Sequence, residues 1–162
     1  MKIRKAVLKD VQAIIGLSDD FMNDHSEIVF RKNKKLKPHL AIRKNANALF
    51  SKYIRKNIKS KDGDVFVVED KGKLVGYLFI LIKKNNPIFK LRRLGYISDL
   101  YLKKPYRNRK ISSRLKDIAI SWFRKKGIRY ASICVYPQNA HAHKIYGRWG
   151  FFDYHVEMRR KI

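Results

Sequence analysis

The sequence predicts an α/β protein, an α+β arrangement in which helices flank a central mixed β-sheet. Three features predict it: two helical stripes near the N-terminus, a β-hairpin, and then a strand–helix–strand–helix series. A hairpin makes strands antiparallel and a strand–helix–strand series makes them parallel, so the sheet must be mixed. The 162 residues fit one domain, residues 1–162, because such a chain buries about two-thirds of its unfolded surface in one core.

The N-terminal third predicts one strand and two helices. The residues from Lys2 to Leu8 are typical of a strand, and Asp10 is suited to cap a following helix. The first helical stripe consists of Val11, Ile14, Ile15, Phe21 and Met22. The second consists of Ile42, Ala46, Leu49, Phe50, Tyr53 and Ile54. Both stripes predict amphipathic helices, and the charged segment Arg31–Pro38 predicts a mobile or substrate-facing loop between them.

A β-hairpin is predicted in the middle of the chain. Its strands are Asp64–Asp70 and Leu74–Ile82, and the turn between them contains Gly72, which favours a tight reversal. The segment Lys83–Arg93 then connects the hairpin to the strand Tyr96–Leu102. These three strands are expected to form the antiparallel part of the sheet.

The strand Tyr96–Leu102 leads through a cationic turn into a helix. Pro105 ends the strand, and the turn Tyr106–Lys110 contains Arg107, Arg109 and Lys110. Apolar residues then recur at helical spacing up to Gly127, namely Ile111, Leu115, Ile118, Ala119, Trp122 and Phe123. A helix N-terminus presents unpaired N–H groups and the positive end of the helix dipole. The turn is therefore predicted to bind phosphate.

The last quarter predicts a strand, a short helix and a final strand. The segment Ile128–Tyr136 is typical of a strand that Pro137 ends, and Asn139 is a suitable N-cap for a helix from Ala140 to Arg148. Alternation from Phe151 to Met158 predicts the last strand.

Two segments of this region resemble the GNAT-type N-acetyltransferase superfamily. The clearer one resembles the pattern Asn-x-x-Ala-x-x-x-Tyr-x-x-x-Gly-Phe, which Asn139, Ala142, Tyr146, Gly150 and Phe151 match. The other resembles the family's acyl-CoA pyrophosphate loop. Arg107 and Ile111 fit that loop, whereas Lys110 and Ser112 stand where small residues, usually glycines, are expected. Lysine adopts unusual backbone dihedrals less easily than glycine, although its ammonium group can compensate near a phosphate.

The resemblance implies direct transfer of an acetyl group from acetyl-CoA to an amine. It implies CoA contacts from Leu100, Tyr101, Leu102, Arg107, Asn108, Arg109, Lys110, Ile111, Ser112, Ser113, Asn139 and Tyr146. It also implies that Tyr146 is the general acid, because a phenol pKa of about 10 lies above a thiol pKa of about 8.5. A tyrosine that only packs between helix and CoA is the alternative. Asp99 is the candidate base, acting directly or through a water relay, and a reaction without a protein base is the remaining possibility.

Charge is the second informative feature of the sequence. Lysine and arginine number 39 against 13 acidic residues, which gives a formal net charge of +26. Such a surface attracts anions and exceeds what the phosphates of CoA need, which indicates RNA, ribosomes or acidic protein surfaces as partners. A merely solvated basic surface explains the charge equally well. A non-catalytic acyl-CoA-responsive or RNA/ribosome-binding protein of the same fold is therefore the alternative function.

Cysteine, histidine and the apolar runs bear on disulfides, metal sites and membrane insertion. The single cysteine, Cys134, cannot form an intramolecular disulfide, and we interpret it as an inert strand residue in a reducing compartment. His141 and His143 lack further ligands at suitable spacing, so no metal site is predicted. The first residues do not form a signal peptide, and the longest apolar run, Leu74–Ile82, is too short to span a bilayer. We expect a soluble, cytoplasmic protein. The amine acceptor stays open among a protein N-terminus, a lysine side chain and a small amine, with free polycations disfavoured by repulsion.

Overall fold

Five strands form one mixed sheet in the order β1-β2-β3-β4-β5 in the computed structural model, which describes residues 1–162. The strands are β1 (Lys2–Lys5), β2 (Gly63–Asp70), β3 (Lys73–Lys84), β4 (Arg93–Leu102) and β5 (Ala131–Ile133). Neighbouring strands from β1 to β4 are antiparallel, and β4 and β5 are parallel. The predicted mixed sheet, hairpin and crossover are therefore confirmed.

The chain has four α-helices, of which three cover the two faces of this sheet. The four are α1 (Val11–Lys32), α2 (Ala46–Ile58), α3 (Ile111–Lys125) and α4 (Ala140–Arg148). Helices α1 and α2 pack on one face and α3 packs on the other, so each face has its own apolar core. No helix is both long and apolar enough to cross a bilayer.

Strand alternation divides the apolar residues between these two cores. In β2, Val65 and Val67 are buried against α1 and α2, while Phe66 and Val68 are buried on the α3 side. A strand buried on both faces reads as a continuous apolar run, as Val65 to Val68 do. The central strands are thus enclosed, and only the sheet ends and the connecting loops remain for function.

The N-terminal strand is shorter than predicted, because Asp10 draws the chain into a turn. Strand β1 ends at Lys5, and Leu8–Asp10 forms a 3₁₀ turn. The Asp10 carboxylate accepts the Val7 N–H at 2.8 Å and pairs with the Arg4 guanidinium at 2.7 Å. Asp10 stands at the N-cap position of α1 but makes no capping bond to that helix, contrary to the prediction.

The segment Arg31–Pro38 is largely helical, so its predicted loop conformation is wrong, whereas a substrate-facing position stays a prediction. Helix α1 continues through Lys32, and a 3₁₀ helix spans Lys34–Leu40. The Asn33 Oδ1 accepts the Lys35 N–H at 3.1 Å and begins this second helix. Lysine and leucine have good helix propensity, which a reading of polarity alone overlooks. Helix α2 begins only at Ala46, so Ile42 is outside it and exposed.

The C-terminal strands differ most from the prediction. Strand β5 is confined to Ala131–Ile133, because the chain pairs with β4 over only those three residues, and not over the whole of Ile128–Tyr136. The strand predicted at Phe151–Met158 is not formed. Its alternating apolar side chains are exposed, namely Phe152, Tyr154, Val156 and Met158. Alternation gives a segment strand potential, but a strand forms only where another strand supplies the ladder of hydrogen bonds.

Candidate active site

A β-bulge at Ser98 decides the direction of the Asp99 side chain. Phe79 of β3 lies opposite Asp99, and the next residue, Ile80, lies opposite Ile97, so Ser98 is an extra residue in β4. Paired residues of antiparallel strands point to the same face. Ile97 therefore joins the α3 side with Ile80, whereas Asp99 points to the α1 side with Phe79. The bulge lies two residues before Leu100.

A cavity of about 330 Å³ opens on this side, where β4 and β5 separate. The last residue pair between the two strands is Ile97 with Ile133, and beyond it the edge of β4 is not covered by β5. The lining residues from α1, the 3₁₀ helix and the start of β4 are Phe21, Met22, His25, Leu40, Tyr96 and Ile97. The others are Ser98, Asp99, Leu100, Ile133, Cys134, Val135, Tyr136, Asn139 and Tyr146. The cavity therefore brings together the predicted base, the predicted acid and Asn139.

Asp99 is the one carboxylate in this largely apolar lining. Burial raises the pKa of the Asp99 carboxyl above its ordinary value, and a hydrogen bond from Ser98 opposes the shift. The Ser98 Oγ donates to the Asp99 Oδ2 at 2.8 Å and lies 3.3 Å from the Tyr53 hydroxyl. A carboxylate with a raised pKa accepts a proton more readily than a solvent-exposed aspartate, which suits a general base.

Tyr146 reaches the same cavity from α4. The Asn139 Oδ1 accepts the Ala142 N–H at 3.2 Å, so Asn139 is the N-cap of α4 as predicted. The Tyr146 ring lies 5.5 Å from the ring of Trp149 and 6.4 Å from that of Phe151. Burial, and next the negative charge of Asp99, raise the pKa of the Tyr146 hydroxyl above its ordinary value. The phenol therefore keeps its proton at neutral pH and can act as a proton donor.

The turn after β4 has the backbone of an anion-binding loop. Asn108 and Lys110 adopt left-handed conformations, with φ of 61° and 58°. Arg114 is the first residue of α3 whose N–H donates a backbone hydrogen bond, and its acceptor is the Lys110 carbonyl at 3.1 Å. Six consecutive N–H groups, from Asn108 to Ser113, have no partner within the protein. Lys110 thus occupies the conformation for which the family pattern favours glycine, and the loop still forms.

The side chain of Arg107 lies elsewhere than the prediction requires. Its guanidinium donates to the Leu102 carbonyl at 2.8 Å and pairs with the Asp24 carboxylate of α1. Lys104 pairs with the same carboxylate at 3.0 Å. The charge of Arg107 is therefore engaged by protein acceptors, and this residue ties the loop to α1. The side chains of Arg109 and Lys110 are exposed and available to an anion.

The other predicted CoA contacts lie along the path from the cavity to the loop. Tyr101 packs on the α1 side, while Leu100 and Leu102 pack on the α3 side, so their side chains belong to the two cores. Leu100 also lines the cavity, so the backbone of all three residues and part of the Leu100 side chain can meet a ligand. Ile111 is buried at the start of α3, and Ser112 and Ser113 are half-buried beside it.

Sequence reasoning missed the wall that α1 and the 3₁₀ helix contribute. Phe21 and Met22 were predicted as core residues of a helical stripe, but they line the cavity together with His25 and Leu40. Burial lowers the pKa of His25, whose ring lies 5.1 Å from that of Tyr136. The continuation of the stripe to His25 at helical spacing was the available signal. Cys134, interpreted as inert, is exposed and also lines the cavity.

Comparisons with known proteins agree with this geometry. The acetyltransferase (GNAT) family model matches residues 25–151. No curated protein sequence matches the chain. The tetramutant of the BH1408 protein from Bacillus halodurans has a similar structure, with 21% identity, a TM-score of 0.82, and 100% of both chains covered.

Two further solved structures with the same fold are complexes with acetyl-CoA or CoA. A predicted acetyltransferase with acetyl-CoA from Clostridium acetobutylicum has 15% identity and a TM-score of 0.74, with 99% of this chain and 95% of that chain covered. The aminoglycoside N-acetyltransferase AAC(6')-Iy in complex with CoA has 15% identity and a TM-score of 0.70, with 99% of each chain covered. At these identities the structures show the common fold, and the family model covers most of the sequence. The chain therefore belongs to the acetyltransferase (GNAT) family.

Proposed function

We propose that this protein is an acetyl-CoA-dependent N-acetyltransferase that moves the acetyl group directly to a primary amine. One observation carries the proposal: Asp99 and Tyr146 line a single cavity where β4 and β5 separate. A carboxylate and a phenol, both with raised pKa values, give the site a proton acceptor and a proton donor. The CoA complexes of the two fold relatives support acetyl-CoA as the co-substrate. We assign the activity to one domain, residues 1–162. The free thiol of Cys134 is typical of a reducing compartment, so we place the protein in the cytoplasm.

The loop before α3 would hold the diphosphate of acetyl-CoA. Six unpartnered N–H groups, from Asn108 to Ser113, lie at the positive end of the α3 dipole, and such an arrangement is suited to bind an anion. Arg109 and Lys110 would add charge, and Arg107 would keep the loop in place through Asp24. The uncovered edge of β4 at Leu100–Leu102 would offer backbone N–H and C=O groups to the pantetheine arm. With the diphosphate at the loop and the pantetheine arm along β4, the thioester would lie at the cavity.

The residues of the cavity then account for each proton in the transfer. Asp99 takes a proton from the acceptor ammonium, directly or through water, and leaves a neutral amine. The amine nitrogen attacks the thioester carbonyl carbon, so that a C–N bond forms and the C–S bond breaks. Tyr146 gives its proton to the departing sulfur, and the second proton of the amine nitrogen restores the phenol. Asp99 then releases the proton that it took to solvent, and the products are an acetamide and free CoA.

Release of free CoA thiol in the presence of amines tests this proposal. Purified protein would be incubated with acetyl-CoA and a panel of peptide N-termini, lysine peptides and small amines. Tyr146→Phe and Asp99→Asn should both slow release, whereas Tyr154→Phe, which changes an exposed tail tyrosine, should not. Acetyl-CoA binding without amine-dependent release for any member of the panel would contradict the proposal.

That negative result would favour the second candidate, a non-catalytic acyl-CoA-responsive or RNA/ribosome-binding protein. The observation behind it is the net charge of +26, far above what a diphosphate needs. Binding through charge alone should fall steeply with salt and tolerate scrambled RNA sequences. Replacing Lys34, Lys35 and Lys37 with glutamate should then weaken association with RNA, ribosomes or acidic proteins. No association at physiological salt would leave the charge as a solvated surface.

A further inference from the structure

The acceptor side of the cavity has a charge distribution that selects among amines. The wall formed by α1 and the 3₁₀ helix is apolar or aromatic at Phe21, Met22 and Leu40, and Asp99 is its one carboxylate neighbour. Two acidic residues of α1 are already paired with the end of β4: Asp20 with Lys103 at 3.4 Å, and Asp24 with Lys104 and Arg107. Within the cavity lining, an acceptor with several positive charges therefore meets a single carboxylate, Asp99.

Lysines of the 3₁₀ helix Lys34–Leu40 stand on the same side as its cavity residue. A 3₁₀ helix has three residues per turn, so residues three apart lie above one another. Lys34 and Lys37 consequently align with Leu40, which lines the cavity. Both lysines are exposed and have no acidic partner, whereas Lys35 lies off this line. The three-residue spacing therefore places two cations on the side of the helix that carries Leu40.

The chain around this line carries charge of one sign. Between Ile28 and Lys61 there are twelve lysine and arginine residues and no aspartate or glutamate. An acceptor reaching the cavity past the 3₁₀ helix thus meets a segment rich in positive charge, which attracts anions and repels polycations.

The weak base favours one kind of amine over another. An α-amino group has a reference pKa of about 7.7–8.0, so roughly a tenth of it is neutral at pH 7. A lysine side chain, with a pKa of about 10.4, is neutral in well under one molecule in about a thousand. The proton acceptors of the cavity lining are the Asp99 carboxylate and the His25 imidazole, and either of them removes the proton of an α-amine far more easily than that of a lysine side chain.

We propose that the acceptor is the free N-terminal α-amine of a peptide whose first side chain is apolar and whose next residues are acidic. This inference rests on the proposed function. The first side chain would lie against Phe21, Met22 and Leu40, with the amine at Asp99, and the acidic residues would meet Lys34 and Lys37. RNA fits the lysines but not the apolar cavity with its single carboxylate, so the observations favour the peptide.

Matched peptides test the proposal on the full chain. The first has a free N-terminal methionine followed by glutamates, the second replaces the glutamates with lysines, and the third is N-terminally blocked with one internal lysine. A polycationic aminoglycoside serves as a fourth acceptor. At low salt, kcat/KM for the acidic peptide should exceed each of the others by about tenfold or more, and the margin over the basic peptide should shrink as salt screens the charges.

Charge reversal locates the effect. The double variant Lys34→Glu/Lys37→Glu should lose the preference for the acidic peptide and keep the KM for acetyl-CoA. Lys35→Glu, on the same 3₁₀ helix, should keep most of the preference. Lys73→Glu/Lys125→Glu changes the charge equally at two exposed positions in β3 and α3 and should leave the preference intact.

The possible outcomes distinguish failure of the peptide proposal from failure of the proposed acetyltransferase activity. Amine-dependent release of CoA with an equal or greater rate for the basic peptide, the blocked lysine peptide or the aminoglycoside overturns the peptide proposal and leaves the acetyltransferase standing. If Lys34→Glu/Lys37→Glu leaves kcat/KM for the acidic peptide unchanged but abolishes RNA binding, the two lysines bind RNA. That result also overturns the peptide proposal. Absence of CoA release with every amine removes the proposed function itself.

Discussion

The Ser98 Oγ donates a hydrogen bond of 2.8 Å to the Asp99 carboxylate, from the very residue that forms the bulge of β4. This bond favours the charged carboxylate, while burial favours the neutral acid and raises the pKa of Asp99. A base acts only when deprotonated, so kcat/KM should rise with pH through this raised pKa. Ser98→Ala removes the bond and should shift the rise to higher pH, and Asp99→Asn should abolish that limb of the profile.

The measurement is kcat/KM for the amine against pH at saturating acetyl-CoA. Asp62→Asn is the control, because Asp62 is an exposed carboxylate that pairs with Arg93 and does not line the cavity. Profiles of the same shape in all four proteins would assign the limb to the amine itself and exclude Asp99 as the base.

Replacing Tyr146 with phenylalanine should lower kcat by roughly ten- to a thousandfold, because it removes a proton donor and keeps the ring. The aromatic contacts with Trp149 and Phe151 should persist, so acetyl-CoA affinity should change little. Steady-state kinetics together with calorimetric titration would separate the two effects. If kcat were unchanged, Tyr146 would be only a packing residue between α4 and the cofactor.

Lys110 should contribute to acetyl-CoA binding through charge in spite of its left-handed backbone. Lys110→Ala keeps the unfavourable φ and removes the ammonium, whereas Lys110→Gly removes both the ammonium and a strain of about 1–2 kcal/mol. We expect both variants to bind acetyl-CoA about three- to tenfold more weakly at low salt, with a smaller loss at high salt. Titration at two ionic strengths measures this. Wild-type affinity in both variants would show that the lysine is merely tolerated.

Gly95 is required for the contact between β4 and α3. A Cβ at this position would lie 2.8 Å from two atoms of the Phe123 ring, which is buried in the α3-side core. Gly95→Ala should therefore lower the free energy of unfolding by about 1–3 kcal/mol. Gly16→Ala is the matched control: it lies in α1 with open space around it and should raise stability by about 0.5–1 kcal/mol. Chemical denaturation measures both, and equal stability of the two variants would contradict the packing argument.

Acid should destabilise the fold through Asp10. Its hydrogen bond with Arg4 is the main cause that lowers the pKa of this buried carboxyl, so the native state binds its proton less readily than the unfolded chain. The resulting stability is present above the unfolded pKa of about 3.9 and is lost as pH falls through the lower folded value. Asp10→Asn should flatten this acid loss, measured as unfolding free energy against pH, while Asp62→Asn should not.

The sequence by itself determined the order of the elements, the mixed sheet and the loop and helix that carry Lys110 and Tyr146. Those properties follow from local signals, namely apolar periodicity, the proline and glycine turns, and the Asn139 cap, and each is read over a few neighbouring residues. The tertiary structure decided what depends on distant partners. The extra residue Ser98 is defined only by the register against β3, and it alone turns Asp99 toward α1. The pairing of Arg107 with Asp24 joins residues far apart in the chain. Strand potential at Phe151–Met158 stayed unrealised because hydrogen bonds between strands require a neighbour that no local pattern can supply.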